Sequence, residues 1–117
     1  MKERRQIQRL GSSLFIKFSA GVDQSMKSEG FTQDVSLVGA KLLSLKRPKV
    51  NENLDLSIDV PNNPDMTIAE ASVRWVGVLN QKDDIGRDVF PVGVEFTFID
   101  SQDRAYLEEY LALQKPV

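Results

Sequence analysis

LDLSIDV, residues 54–60, decides the fold. Leu54, Leu56, Ile58 and Val60 alternate with Asp55, Ser57 and Asp59. Successive side chains of a strand point to opposite faces, so this period of two marks a strand with one face on a core and one in water. Upstream, Leu14, Ile16 and Phe18 alternate with Phe15 and Lys17, and residues 39–45 carry a similar pattern. Downstream, Ala69, Ala71, Val73 and Trp75 share a face within residues 67–78, and Val92, Val94, Phe96 and Phe98 form a last strand. A short strand near residues 31–35 makes six. Lys46-Arg47-Pro48, Pro61-Asn62-Asn63-Pro64 and Asp83-Asp84-Ile85-Gly86 interrupt the periodicity as turns.

After Ile99 the period changes. Tyr106, Leu107, Tyr110 and Leu111 recur at helical spacing, Asp100 or Ser101 can cap the start, and Pro116 ends the helix. The expected fold is therefore mainly β: a six-stranded antiparallel β-barrel over residues 12–99, with a C-terminal α-helix over 100–114 packed against it. At 117 residues and 41% hydrophobic content, the chain has enough apolar material for one core, so residues 1–117 are expected to form a single domain. It starts at Met1 and ends just past the helix, which suggests a stand-alone domain.

Composition removes several classes of chemistry. The chain has no cysteine and no histidine, which leaves no thiol nucleophile, no disulfide framework and only carboxylates to hold a metal. No apolar run approaches the roughly 18 residues that would span a bilayer, and no apolar segment follows the basic N-terminus, so a soluble, cytoplasmic protein is expected. No GxSxG elbow, Walker loop or GxGxxG turn is present. The acid pairs Asp83–Asp84 and Glu108–Glu109 lie in a polar turn and on a solvated helix face, where surface solvation accounts for them.

The net charge of −2 argues against a general nucleic-acid binder. Its distribution is uneven. Lys2, Arg4, Arg5 and Arg9 against the single acid Glu3 give residues 1–9 a charge of +3, which leaves −5 on the rest of the chain. A basic arm, residues 1–11, on an acidic body suits a small, compact anion better than a long polyanion, although a solvated tail would have the same composition.

Two clusters could bind such an anion. Arg5 and Arg9 form an RxxxR spacing before the first strand. Each guanidinium is a rigid fork that matches a phosphate, or the O6 and N7 edge of guanine, with two hydrogen bonds. Asp34, Ser36 and Gly39 form DxSxxG between the second and third strands. The carboxylate can accept from guanine N1–H and N2–H, the hydroxyl can donate or accept, and the glycine permits a tight turn or a close approach. An Asx or serine turn explains the second cluster equally well.

Taken as a pair and in this order, RxxxR and DxSxxG resemble the PilZ family. Val73-Arg74-Trp75-Val76, Val92-Gly93-Val94-Glu95-Phe96 and the closing helix resemble that family's body, so the likeness covers nearly the whole chain, with no departure at the five motif positions. The resemblance implies a barrel that binds the bacterial second messenger cyclic di-GMP on its outer surface, with the N-terminal arm folding over the ligand. It assigns Arg5 and Arg9 to guanine and phosphate, and Asp34, Ser36 and Gly39 to guanine and neighbouring ligand atoms. Arg4, directly before RxxxR, favours an intercalated ligand dimer.

The implied protein is no enzyme and needs no cofactor: ligand binding orders the arm and signals to a protein partner, without nucleic acid or membrane insertion. The competing reading is a PilZ-like protein-interaction module that binds no nucleotide. Trp75 could offer a base a stacking surface, but its place on the Ala69, Ala71, Val73 face predicts core packing.

Overall fold

The computed structural model describes residues 14–20 and 26–114. Its elements are β1 (Phe15–Ala20), β2 (Met26–Val35), β3 (Gly39–Ser44), β4 (Asn53–Ile58), β5 (Thr67–Val76), β6 (Gln81–Lys82), β7 (Asp88–Ile99) and α1 (Ser101–Gln114). Every strand pair is antiparallel. The hydrogen-bonded order runs β3-β2-β1-β4-β5-β7, and β3 also pairs with β7, so six strands close into a barrel. Closure leaves those six without a free edge. The two-residue β6 pairs only with the start of β7, Gln81 with Val89 and Lys82 with Asp88, and forms a small hairpin projecting from the barrel.

The alternating residues fill the interior. Ile16, Leu54, Leu56, Ile58, Val60, Val73 and Val92 are each at most 1% exposed, and Leu14, Phe18, Leu42, Ala69, Ala71 and Val94 are also buried. Leu107 and Tyr110 of α1 join the same core. Burying a Leu, Ile or Val side chain is worth roughly 1.5–3 kcal/mol, so this single interior carries most of the driving force for folding.

β2 is longer than its hydrophobic pattern suggests. Its first half, MKSEG, carries no apolar alternation, yet it pairs with β1 from Ala20–Met26 through to Phe15–Phe31. Backbone hydrogen bonding to an established neighbour recruits these polar residues into the sheet.

Two aromatic side chains depart from expectation for one shared reason. The β5–β7 pairing slips between Val73 and Trp75 and again between Glu70 and Ala71. Each slip is a β-bulge, and one extra residue turns the following side chains to the opposite face. Trp75 is consequently 44% exposed and Phe98 58% exposed, whereas Val73 and Val94, beside the first slip, stay inside. Core packing of Trp75 is thereby corrected, and Phe31, 46% exposed, joins it on the outside.

Asp100, rather than Ser101, caps α1: its Oδ2 accepts from the Gln102 N–H at 3.1 Å. The helix is fastened to the barrel through Asp103, which accepts from Asn63 Nδ2 at 3.1 Å and from the Ile68 N–H at 3.1 Å. Asn62 Nδ2 donates to the Tyr106 carbonyl at 3.1 Å, so the asparagines of the turn at 61–64 act as a clamp on α1. Pro116 lies outside the described residues. Among the described residues no helix is long and apolar enough to cross a membrane.

Candidate functional site

Where β2 leaves the barrel and β3 enters it, an open groove of about 320 Å³ lies on the outer surface. Asp34, Ser36 and Gly39 line it together with Lys41, Arg74, Trp75 and Glu95. The structure thus brings together the three DxSxxG residues. Arg4, Arg5 and Arg9 lie outside the described residues.

The local chain explains the placement. β2 has an irregularity between Thr32 and Asp34, after which Asp34 pairs with Lys41 of β3. Val35, 8% exposed, fixes the end of the strand in the core, and Asp34 and Ser36 on either side of it are exposed. Ser36 shapes the loop that follows. Its N–H donates to the Gly39 carbonyl at 2.9 Å, its Oγ accepts from the Val38 and Gly39 N–H groups at 3.2 and 3.3 Å, and its O–H donates to the Gly39 carbonyl at 3.3 Å. The serine-turn geometry is therefore present, and it ties Ser36 to Gly39 at the end of the β2–β3 ladder in which Asp34 pairs with Lys41.

Gly39 meets a different need from turn flexibility. A Cβ at this position would collide with the Val94 carbonyl of β7, so only glycine lets β3 and β7 approach here.

The groove floor runs across three strands. Lys41 of β3 pairs with Gly93 of β7, and Gly93 pairs with Trp75 of β5. A Cβ on Gly93 would occupy the space of the Trp75 ring, so the indole lies over the bare backbone of β7 and reaches towards β3. Lys41 Nζ is 6.0 Å from the ring centre, within cation–π range. The neighbouring Arg74 is the extra residue of the bulge, and its Nε donates to Glu95 Oε1 at 2.7 Å, with Nη2 on the same oxygen. Asp34 and Glu95 balance Lys41 and Arg74, so the described part of the groove carries no net charge. An anionic ligand would need further cations from elsewhere.

Lys41, Arg74 and Glu95 were not among the residues singled out for ligand contact from the sequence. Two signals pointed to them: a glycine inside a strand, Gly93, which marks close approach, and charged letters within otherwise apolar runs, Arg74 in VRWV and Glu95 in VGVEF.

A second concavity lies beside the β6–β7 hairpin, lined by the apolar Phe31, Leu43, Ile85 and Val89 and by charged residues of both signs, among them Glu29, Lys82, Asp83 and Arg87. Asp83 organises the turn, accepting from the Ile85 N–H at 3.0 Å, the Arg87 N–H at 2.8 Å and Arg87 Nε at 2.6 Å. Desolvation pulls its pKa up, but the hydrogen bonds and charge of Arg87 outweigh it and hold the carboxyl below its ordinary value. The hydrogen bond and charge of Lys82 do the same for Asp88. Both acids are structural ties of the hairpin.

A closed six-stranded barrel with a C-terminal helix packed against it and an outward-facing DxSxxG loop defines a small β-barrel domain with a groove on its outer surface. The family model described as PilZ domain matches residues 3–113, and the chain belongs to that family. Solved structures agree on the fold. The motility inhibitor MotI/DgrA of Bacillus subtilis superposes with a TM-score of 0.64 at 17% identity, covering 89% of this chain and 48% of that one. The PilZ domain of Escherichia coli YcgR, solved with c-di-GMP, gives 0.62 at 10% identity, covering 86% and 80%. MrkH of K. pneumonia gives 0.63 at 14% identity, covering 85% and 43%. The chain thus spans about half the length of MotI/DgrA and of MrkH. No curated protein matches the sequence.

Proposed function

We propose that this domain is a cyclic di-GMP receptor that binds its ligand in the groove between the DxSxxG loop and Trp75. The observation that carries the reading is the convergence of Asp34, Ser36, Gly39, Lys41 and Trp75 on one outer face. Asp34 accepts from the Watson–Crick edge of a guanine, the Ser36 turn presents that carboxylate, and the exposed Trp75 ring offers a base an apolar face. Lys41 supplies positive charge beside the ring. Because the described groove is neutral, the remaining charge for two phosphates comes from Arg5 and Arg9, with Arg4 favouring a second, intercalated ligand.

Ordering of the basic segment around the ligand is the signal, which a protein partner reads. Isothermal titration of cyclic di-GMP, with GTP as control, tests the reading. Micromolar or tighter binding that is lost in Arg5→Ala/Arg9→Ala supports it, and a stoichiometry near two supports the dimer. A wild-type protein that takes up no cyclic di-GMP refutes it, leaving the protein-interaction module.

A further inference from the structure

The Arg74–Glu95 ion pair stands at the wall of the proposed binding groove. Arg74 is carried there by the bulge in β5, and Glu95 lies opposite Gly39 of the DxSxxG loop in the β3–β7 register. Gly39 brings β3 against the backbone of β7 beside Glu95, and both partners of the ion pair line the groove with it. Arg74 is 53% exposed and Glu95 50% exposed, so neither is locked in by packing. Nε and Nη2 of Arg74 both donate to one carboxylate oxygen, Oε1. A phosphate oxygen offers a guanidinium the same acceptor.

We propose that Glu95 is an internal competitor for Arg74, occupying the guanidinium until a phosphate of the incoming ligand takes it over. The proposal rests on the cyclic di-GMP reading and adds a regulation of the same site. Three consequences follow from the charge geometry. In the empty groove Glu95 cancels Arg74 and so lowers the attraction for any anion. On binding, the phosphate and the Glu95 carboxylate contend for one fork. The affinity of the domain is then set by this pair as well as by the motif residues.

A half-exposed pair of this kind is worth little to folding, so both side chains can be changed without loss of the barrel. Isothermal titration of cyclic di-GMP into wild type, Glu95→Gln, Arg74→Gln and the double variant tests the proposal, with melting temperatures measured alongside. Glu95→Gln is expected to tighten binding by about three- to tenfold, and Arg74→Gln to weaken it by a similar factor. The decisive comparison is the double variant. If Arg74 is the group being released, the gain from Glu95→Gln disappears once Arg74 is Gln. An equal gain in both backgrounds shows that Glu95 only repels the ligand at a distance and overturns the proposal, as does no gain at all. Binding by wild type that none of the variants alters overturns the competitor alone. Absence of binding by all four proteins overturns the competitor and the receptor reading together.

Discussion

Trp75 is the chain's one tryptophan, and it lies in the groove. Its intrinsic fluorescence therefore reports on the site without a label. Base–aromatic stacking is worth about 1–3 kcal/mol per base, so Trp75→Ala should weaken cyclic di-GMP binding by roughly five- to a hundredfold. Wild-type emission should change on titration, saturating with the calorimetric isotherm; emission that stays constant through saturation would place the ligand away from the ring. Gly39 makes the opposite kind of prediction. A methyl group there collides with the Val94 carbonyl, which belongs to the backbone and cannot rotate away. Gly39→Ala should thus push β3 from β7 and cost about 1–3 kcal/mol of stability, together with affinity. A Gly39→Ala protein that melts like wild type would contradict the close approach.

At the scale of the elements, the alternation of Leu54, Leu56, Ile58 and Val60 and of Ala69, Ala71 and Val73 carried over directly into buried faces. Two features were not legible. The letters of Val73–Trp75 and Phe96–Phe98 keep their period of two, but the bulges that turn Trp75 and Phe98 outwards depend on hydrogen bonding between β5 and β7, which no single strand encodes. The polar start of β2 and the two-residue β6 are strands only because a neighbour supplies their partners. The DxSxxG cluster was legible by its spacing, but whether Ser36 faced a ligand or its own loop depended on the turn geometry.

The β6–β7 hairpin gives this scale its own prediction. Asp83 and Asp88 have folded pKa values below their ordinary ones, so their contribution is present above the unfolded value and is lost as pH falls through the lower, folded one. Acidification below about pH 4 should therefore lower the amide protection factors, taken against the intrinsic exchange rate at each pH, at residues 81–88 before it affects the barrel strands. A uniform loss of protection across both segments would show that these carboxylates do not hold the turn.

For the whole molecule, the alternation that builds the barrel also separates stability from function. Interior side chains such as Leu56, 1% exposed, face the core and take no part in lining the groove, while Asp34 faces solvent. Leu56→Ala should cost about 2–5 kcal/mol of folding free energy, because the barrel closes on itself and cannot collapse freely around the lost atoms. Its melting temperature should fall markedly, yet at a temperature where it remains folded its affinity for cyclic di-GMP should match that of wild type within about threefold. Asp34→Ala should do the reverse, leaving the melting curve in place and weakening binding by about ten- to a hundredfold through the lost guanine acceptor. Ligand adds a cross-check, since whatever binds only the folded state raises its melting temperature by mass action. Saturating cyclic di-GMP should therefore raise the melting temperature of wild type and Leu56→Ala alike, and raise that of Asp34→Ala by clearly less at the same ligand concentration. If Leu56→Ala lost affinity in step with stability, the groove would depend on the interior, and the separation of an inward core from an outward site would not hold.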